Sequence, residues 1–195
     1  SDYSNTGTVK IDVLPVNDAP TVTDDSQKVN EDDVLNASVV GLASDVENDP
    51  LSFELVGSAP AGLTFNPDGS YKYVPPADFD GDVSFQFKAK DASDYSNTGT
   101  VKIDVLPVND PPTSPTGVSA TVDEDVQHFF SMAELLAGST DVDGGPLSVV
   151  TFTGTDKISG YFNPVAPAGL FVFGQLDVNG GPYMAKYVVS DGKGG

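Results

Sequence analysis

Short stretches in which apolar and polar residues alternate recur along most of the chain. Every second residue is apolar over Val83–Ala89 and Val101–Val105, and Leu51–Leu55 and Val9–Val13 show the same alternation. Because successive side chains of a β-strand point to opposite faces, each stretch predicts a strand with one buried face. The pattern therefore predicts an all-β protein built from short strands.

Seven candidate strands lie between residues 19 and 110. They cover approximately 21–29, 35–40, 51–55, 63–65, 71–73, 83–89 and 101–105. The residues Asn66–Gly69, between the fourth and fifth candidates, form a strong turn signal and predict a hairpin. Seven short strands in 92 residues are typical of an antiparallel β-sandwich of immunoglobulin-like size.

The chain contains an exact internal repeat. Ser1–Asp18 recurs without a change as Ser93–Asp110, a shift of 92 residues. Solenoid units are about 20–50 residues long, so this period indicates a string of whole domains. We therefore expect residues 1–18 to be the last strand and linker of a preceding repeat, 19–110 to be a complete repeat, and 111–195 to be a second repeat that lacks its final strand.

The last third of the chain follows the order of the middle third with changes. The matching pairs are Thr121–Val126 with Lys28–Asp33, Asp141–Leu147 with Asp45–Leu51, and Tyr187–Gly192 with Phe87–Ala92. The residues Ser131–Gly138 predict a short helical turn that Ser131 caps and Gly138 ends. Residues 156–169 have no equivalent in the middle repeat, so they are where we expect features specific to the last repeat.

Composition excludes several classes of function. The chain has 9 Lys and no Arg against 24 Asp and 5 Glu, a net charge of −20, so we expect no nucleic-acid partner because nothing neutralises phosphate. No run of 18 apolar residues occurs, so we expect no membrane insertion in this segment. The absence of Cys means that disulfides do not stabilise it.

The preference for Asp over Glu indicates loops that bind a hard cation, because Asp is the short carboxylate favoured in turns and in calcium loops. The loops of a seven-stranded sandwich gather at its two ends, which places the acidic residues at the joints between repeats. At the joint entering the complete repeat we expect Asn17, Asp18, Asp45, Glu47 and Asp91. At the joint leaving it we expect Glu31, Asp78, Asp80, Asn109, Asp110, Asp141, Asp143 and Asp191. With no Cys and a single His, the ligands predict Ca²⁺ rather than Zn²⁺.

These motifs resemble cadherin repeats, and more closely the bacterial cadherin-like repeats of giant RTX-type surface adhesins. The resemblance rests on a Glu in the first strand, DFDGD before FQFKAKDA, the PVND linker and DVDGG in the next repeat. It implies calcium ligation by Glu31, by Asp78 with Asp80 or Asp82, by Asn109 with Asp110, and by Asp141 with Asp143. The linker departs from the D-x-N-D-N of cadherins, and Glu47 replaces the second Asp of D-x-D.

The resemblance implies a non-enzymatic extender of an extracellular, bacterial cell-surface or biofilm adhesin, whose partners are neighbouring repeats of the same chain. Two alternatives stay open. The segment 111–195 could bind a glycan or protein ligand, or residues 1–14 could complete the last repeat of another copy in a head-to-tail filament. For the aromatic residues Tyr71, Tyr73, Tyr161 and Phe162, packing within a sandwich is favoured over a sugar-stacking surface.

Overall fold

The computed structural model of the chain describes residues 2, 4–114, 117–121, 123, 126–155, 157–163, 168–174 and 180–193. The chain divides into two compact units, Ser1–Val108 and Asn109–Gly195. The division lies two residues before the boundary that the sequence repeat predicts.

The described residues of the first unit form nine strands and one 3₁₀ turn. They are β1 Thr21–Val22, β2 Asp25–Asn30, β3 Leu35–Ser38, the 3₁₀ turn Val40–Leu42, β4 Ala43–Ser44, β5 Ser52–Val56, β6 Leu63–Phe65, β7 Ser70–Tyr73, β8 Gly81–Lys90 and β9 Gly99–Leu106. One sheet has the order β2-β9-β8-β5 and another has the order β3-β7-β6, while β1 pairs with β4. Strand β2 runs parallel to β9, and the other pairs are antiparallel.

The core of the first unit lies between the two larger sheets. Its largest fully buried side chains include Tyr73 of one sheet and Phe87 and Ile103 of the other. The outer positions of β8 are polar, as the alternation predicts. The predicted all-β fold of tandem antiparallel immunoglobulin- or cadherin-like sandwiches is confirmed.

Two of the strands in this unit differ in extent from those that the sequence predicts. The stretch 21–29 is divided between β1 and β2, and 35–40 ends at Ser38 before the 3₁₀ turn. The predicted hairpin is confirmed, because the N–H of Asn66 donates to the carbonyl of Ser70 at 2.9 Å. Gly69 has φ of +82°, and a Cβ there would lie 2.8 Å from the Phe53 ring, so only glycine suits this position.

The two identical 18-residue segments adopt different states. In β9 the residues Val101, Ile103 and Val105 are at most 2% exposed. The identical Val9, Ile11 and Val13 are 83%, 78% and 88% exposed and belong to no strand. The strand predicted over Val9–Val13 is therefore not formed in this chain, because a strand needs a neighbour that accepts and donates its main-chain hydrogen bonds.

The second unit has a smaller described core. Its elements are β10 Gln127–Ser131, α1 Met132–Leu135, β11 Ser148–Thr153, β12 Ile158–Asn163, β13 Gly169–Gly174 and β14 Lys186–Ser190. One sheet has the order β10-β13-β12, and β11 pairs with β14. Strand β12 takes the place that β6 has in the first unit, so the prediction that residues 156–169 have no equivalent there is wrong for this strand. Leu135, Val149 and Leu170 are the buried centre of this core.

The predicted helical turn is confirmed as α1. The side chain of Ser131 accepts the N–H of Glu134, and the Glu134 carboxylate accepts the N–H of Ser131 at 2.8 Å, which forms a capping box. Leu135 is buried, and its carbonyl accepts the hydroxyl of Tyr187 at 2.9 Å. The turn therefore packs its buried Leu135 into the core of the second unit. Parts of the predicted segments 121–126 and 156–169, including Glu124 and Asp156, lie outside the described residues.

Candidate cation site

In the first unit the linker residues Asn17 and Asp18 contact the loops that follow β4 and β8. The amide of Asn17 donates to Asp91 Oδ2 at 3.1 Å and to Asp94 Oδ2 at 3.2 Å. The N–H of Asp18 donates to Glu47 Oε2 at 3.3 Å. The structure therefore brings four of the five residues predicted for the entering joint into two hydrogen-bonded pairs, Asn17 with Asp91 and Asp18 with Glu47.

The fifth residue, Asp45, begins the loop before β5. Its Oδ1 accepts the N–H of Asp49 at 3.0 Å. Its Oδ2 is buried and has no hydrogen-bond partner within the described ranges. A buried carboxylate oxygen without a donor costs free energy, so this atom indicates a position where a cation would be favourable.

Asp91 is 5% exposed at the start of the loop after β8. Its Oδ1 accepts the N–H groups of Ser93 and Asp94, both at 2.6 Å. These donors, first that of Asp94 and then that of Ser93, together with the Asn17 amide, lower the pKa of Asp91. The side chain is therefore a carboxylate at neutral pH, as a calcium ligand must be.

The same loop is fixed to the sandwich on its other side. Ser96 is 6% exposed, and its Oγ accepts the N–H of Ala89 at 2.9 Å. Asn97 exchanges two hydrogen bonds of 2.9 Å with the backbone of Val22 in β1. The Asp91 carboxylate is thus held on a loop that the sandwich positions firmly.

An equivalent set occurs in the second unit. The N–H of Asp110 donates to Asp143 Oδ2 at 2.7 Å, and the N–H of Asp143 donates to Asp141 Oδ1 at 2.9 Å. Asp191 Oδ1 accepts the N–H of Lys193 at 3.0 Å. That donor first, and the side chain of Asn109 next, lower the pKa of Asp191.

The two units therefore repeat one arrangement of three segments: the linker, the loop before β5 or β11, and the loop after β8 or β14. The equivalent residues are Asn17 and Asn109, Asp18 and Asp110, Asp45 and Asp141, Glu47 and Asp143, and Asp91 and Asp191. Buried oxygens without a hydrogen-bond donor recur at this set: among the described residues they include Oδ2 of Asp45, Asp141 and Asp191 and Oδ1 of Asn109. Oxygen atoms of carboxylates and amides are the ligands that Ca²⁺ prefers, so the residues fit this ion.

Among the described residues, the hydrogen bonds found do not join the remaining predicted ligands of the first unit to its linker and loop residues. Glu31 is 6% exposed, and its Oε1 accepts the N–H of Val108 at 2.6 Å. Asp78 and Asp80 are exposed, and Asp78 has φ of +57°. Within the described part of the chain, no hydrogen bond joins either of them to Glu31.

Side-chain geometry alone does not form a metal site. Across the described ranges, no group of three or more His, Asp or Glu side chains is placed to hold an ion. The Asn17 amide stands between the Asp91 and Asp94 carboxylates and donates to both. Sequence reasoning missed Asp94 and Asp49, and the signal that could have found them is a second Asp three or four residues after Asp91 and Asp45.

Lysines do not form ion pairs with these acids in the described part of the chain. The salt bridges found there join Lys10 to Asp12 and Lys28 to Asp104, all on exposed surface. Backbone N–H groups and the Asn amides thus supply most of the compensation for the carboxylates. Like charges held this close repel each other, and a divalent cation would offset that repulsion.

Two family models together cover most of the chain. The model of the bacterial cadherin-like domain matches residues 17–107, and that of the cadherin-like domain matches residues 108–195. Among curated proteins, none matches the sequence. No helix within the described residues is long and apolar enough to cross a membrane.

A solved protocadherin fragment has a similar fold. The EC1-2 fragment of human protocadherin-24 is 18% identical, with 89% of this chain and 94% of that chain covered and a TM-score of 0.55. Lower scores are found for the human desmocollin-1 ectodomain (13% identity, 93% and 35% covered, TM-score 0.42) and for an endo-fucoidan hydrolase of glycoside hydrolase family 107 (18% identity, 90% and 27% covered, TM-score 0.37). With one family model on each half and a cadherin fold throughout, the chain belongs to the cadherin-like domain family and contains two consecutive domains of it.

Proposed function

We propose that this chain is a pair of calcium-stiffened extender repeats of a bacterial cell-surface adhesin, which project a distal binding domain from the cell. The observation that carries the proposal is the recurrence of one linker-and-loop arrangement, with buried and unpartnered carboxylate oxygens, in both units. Cadherin-like repeats have an adhesion role, and they generally bind calcium and are typically extracellular.

Ca²⁺ would be held in the first repeat by Asn17, Asp18, Asp45, Glu47 and Asp91. In the second repeat the ligands would be Asn109, Asp110, Asp141, Asp143 and Asp191, and the cadherin resemblance adds Glu31, Asp78 and Asp80. When bound, the ion would supply the positive charge that these loops lack and would reduce the repulsion between their carboxylates.

The linker residues carry the mechanical part of the proposal. Asn17 and Asp18 already bind the loops of their own repeat through the side chain of one and the N–H of the other. Ordering these residues more tightly would limit the bending of the linker, so an array of repeats would become a stiffer rod. The partners are then neighbouring repeats of the same chain.

The cellular setting is also a proposal. The match of residues 17–107 to a bacterial cadherin-like domain supports a bacterial source, and the RTX-type and biofilm settings follow from the resemblance of the linker and loop motifs. Domains of this family are typically non-enzymatic, and we propose a structural role rather than catalysis.

Small-angle scattering and thermal unfolding of the full chain, with calcium and then with excess chelator, test the extender function. We expect chelation to raise the radius of gyration or broaden the distance distribution and to lower Tm, with recovery when calcium returns. Mg²⁺ should substitute poorly because it requires strict octahedral geometry. Unchanged scattering and Tm in chelator would contradict the proposal.

A pair of matched variants locates the effect. Asp143→Asn should weaken the calcium response, because Asp143 binds the linker N–H of Asp110. Asp123→Asn removes the same charge from an exposed position of the second unit outside the candidate site, and it should leave the response intact. Equal responses of the two variants would refute the assignment of Asp143.

A second candidate function is head-to-tail self-association through residues 1–14. The observation that favours it is the exposure of Val9, Ile11 and Val13, which are identical to residues that fill the core beside β8. Strand addition supplies main-chain hydrogen bonds and apolar side chains together. Thr8–Leu14 of one copy would add beside β14, the counterpart of β8, of another.

Deletion of residues 1–14 tests this second candidate. Sedimentation velocity at increasing concentration should show oligomers of the full chain and only monomers of the shortened chain. If both remain monomeric, or if both associate equally, the strand-donation hypothesis is wrong. The calcium response of the second unit is independent of this result, so the two proposals fail separately.

A further inference from the structure

Three aromatic rings lie in one row across the three-stranded sheet of the second unit. Phe129 of β10 is the register partner of Phe171 of β13, which is also the partner of Tyr161 of β12. The ring centroids of Phe129 and Phe171 are 4.7 Å apart, and those of Phe171 and Tyr161 are 5.1 Å apart with planes inclined by 14°. The three rings therefore form a continuous aromatic surface.

This row lies on the face of the sheet that points away from the core. The next row of register partners, Phe130, Leu170 and Phe162, packs into the hydrophobic core of the second unit. Side chains of adjacent strand positions point to opposite faces. Accordingly, Tyr161 is 52% exposed although its ring stacks on Phe171, while Phe129 and Phe171 are half-buried.

The first unit shows that the outward row of this sheet does not need aromatic residues for the sandwich to form. In its corresponding sheet the outward row consists of Asn36, Lys72 and Thr64, which are register partners and are all exposed. The inward rows of that sheet carry the apolar residues. The aromatic row is thus an addition to the second unit, and surface aromatic groups of this kind are typical of binding sites.

Uncharged polar residues flank the aromatic row on the same face. Gln127 and Ser159 lie in the outward row on one side together with Phe173, and Ser131 and Asn163 lie on the other side. Over the described residues of β10, β12 and β13 there is no Asp, Glu, Lys or Arg. In a chain with a net charge of −20, this face is unusual for its lack of charge.

We propose that the row Phe129–Phe171–Tyr161 is a binding platform for a neutral saccharide chain. A sugar ring presents an apolar face of C–H groups that packs on an aromatic ring, and its hydroxyls find donor and acceptor partners in the amide of the exposed Gln127. An anionic polysaccharide would be repelled by the negative charge of the rest of the chain. The uncharged face and the acidic remainder therefore both favour a neutral glycan.

Affinity electrophoresis of the full chain tests this platform. The probes are gels that contain a neutral β-glucan, galactomannan, xylan or agarose, with alginate and dextran sulfate as anionic polymers. Tyr161→Thr introduces the residue type of the outward row in the first unit, and Tyr161→Phe keeps the ring. Tyr95→Ala is the matched control, because Tyr95 is 45% exposed in the first unit and outside the row.

At least one neutral polysaccharide should retard the full chain. Tyr161→Thr should weaken that binding by about tenfold, which corresponds to about 1.4 kcal/mol, while Tyr161→Phe and Tyr95→Ala should stay within about threefold. The proposal is overturned if no neutral polymer retards the chain, if Tyr161→Thr binds as the unmodified chain does, or if only anionic polymers bind. It is also overturned if sedimentation shows a dimer that Tyr161→Thr dissociates, since the face would then hold a second copy.

Discussion

Shortening Ile103 to Val should destabilise the first unit, whereas the same change at Ile11 should not. The two residues occupy the same position of identical 18-residue segments. Ile103 is 0% exposed in β9, between β2 and β8, while Ile11 is 78% exposed. Local sequence is thereby held constant, and only the tertiary surroundings differ.

The expected magnitude follows from the burial of one methylene group. Its transfer from water to the core contributes about 0.8 kcal/mol, and the cavity left behind adds to this, so a core Ile→Val change costs about 0.5–1.5 kcal/mol. For a domain of about 90 residues, a loss of about 1 kcal/mol lowers Tm by about 4–8 °C. At Ile11 the expected change in Tm is below about 1 °C.

Differential scanning calorimetry of the full chain and both variants, at one calcium concentration, measures these shifts. The transition that moves in Ile103→Val identifies the first unit. If both variants lower Tm by the same amount, the two identical segments are not buried to different extents and the reasoning is wrong. A shift of the other transition by Ile11→Val would support strand donation between copies instead.

Three further predictions concern single side chains. Burial, with a smaller effect of Asp25, raises the pKa of Tyr71 to about 12, so the stability that its neutral hydroxyl contributes is lost as pH rises from about 10 to 12. In Tm measurements at alkaline pH, Tyr71→Phe should remove most of that decline. A decline that persists in Tyr71→Phe would contradict this prediction. The pKa of Asp91 is lowered by backbone N–H groups, so its contribution is lost as pH falls below about 4, and Asp91→Asn should show a smaller acid-induced drop in Tm than the unmodified chain. Ser131→Ala should destabilise the second unit by about 1 kcal/mol in urea unfolding through loss of the capping box, whereas an unchanged midpoint would show that the cap is unimportant.

The strands of the first unit could be predicted because one face of each is buried. In β8 and β9 the inward positions are apolar and the outward ones are polar or charged, so a period of two is visible in the letters. The hairpin at Asn66–Gly69 could also be predicted, because its turn needs a residue that tolerates a positive φ and Gly69 supplies it.

The state of residues 8–14 could not be predicted from local sequence. The segment has the same propensity and alternation as β9, and the difference between them lies in whether strands stand on either side. The sequence of a segment does not show whether neighbouring strands are present, because that depends on the tertiary structure around it.

Sequence reasoning also could not assign faces to adjacent aromatic residues. Tyr71, Tyr73 and Phe162 pack in the cores, as predicted, but Tyr161 points outward beside Phe171. The face depends on the register of β12 against β13, and a shift of one residue would exchange Tyr161 with Phe162.

For the candidate site, the loop acids could be placed together because the sandwich gathers its loops at two ends. The hydrogen bonds from Asn17 to Asp94 and from Asp49 to Asp45 depend on the detailed loop conformation. The unpartnered oxygens of Asp45, Asp141 and Asp191 could be recognised only once burial was known.

Isothermal titration calorimetry of the calcium-stripped full chain with CaCl₂ tests the central claim most directly, when it is paired with the double variant Asp45→Asn, Asp141→Asn. Each Asn keeps the Oδ1 acceptor for the N–H of Asp49 or Asp143 but removes the charge on the unpartnered oxygen. We predict saturable binding, with Kd of about 10⁻⁴–10⁻³ M or tighter as in extracellular calcium modules, that the double variant weakens by at least about tenfold. The account is contradicted if no binding is detected at calcium concentrations up to about ten times the upper Kd of that range. It is also contradicted if the double variant binds calcium as tightly as the unmodified chain.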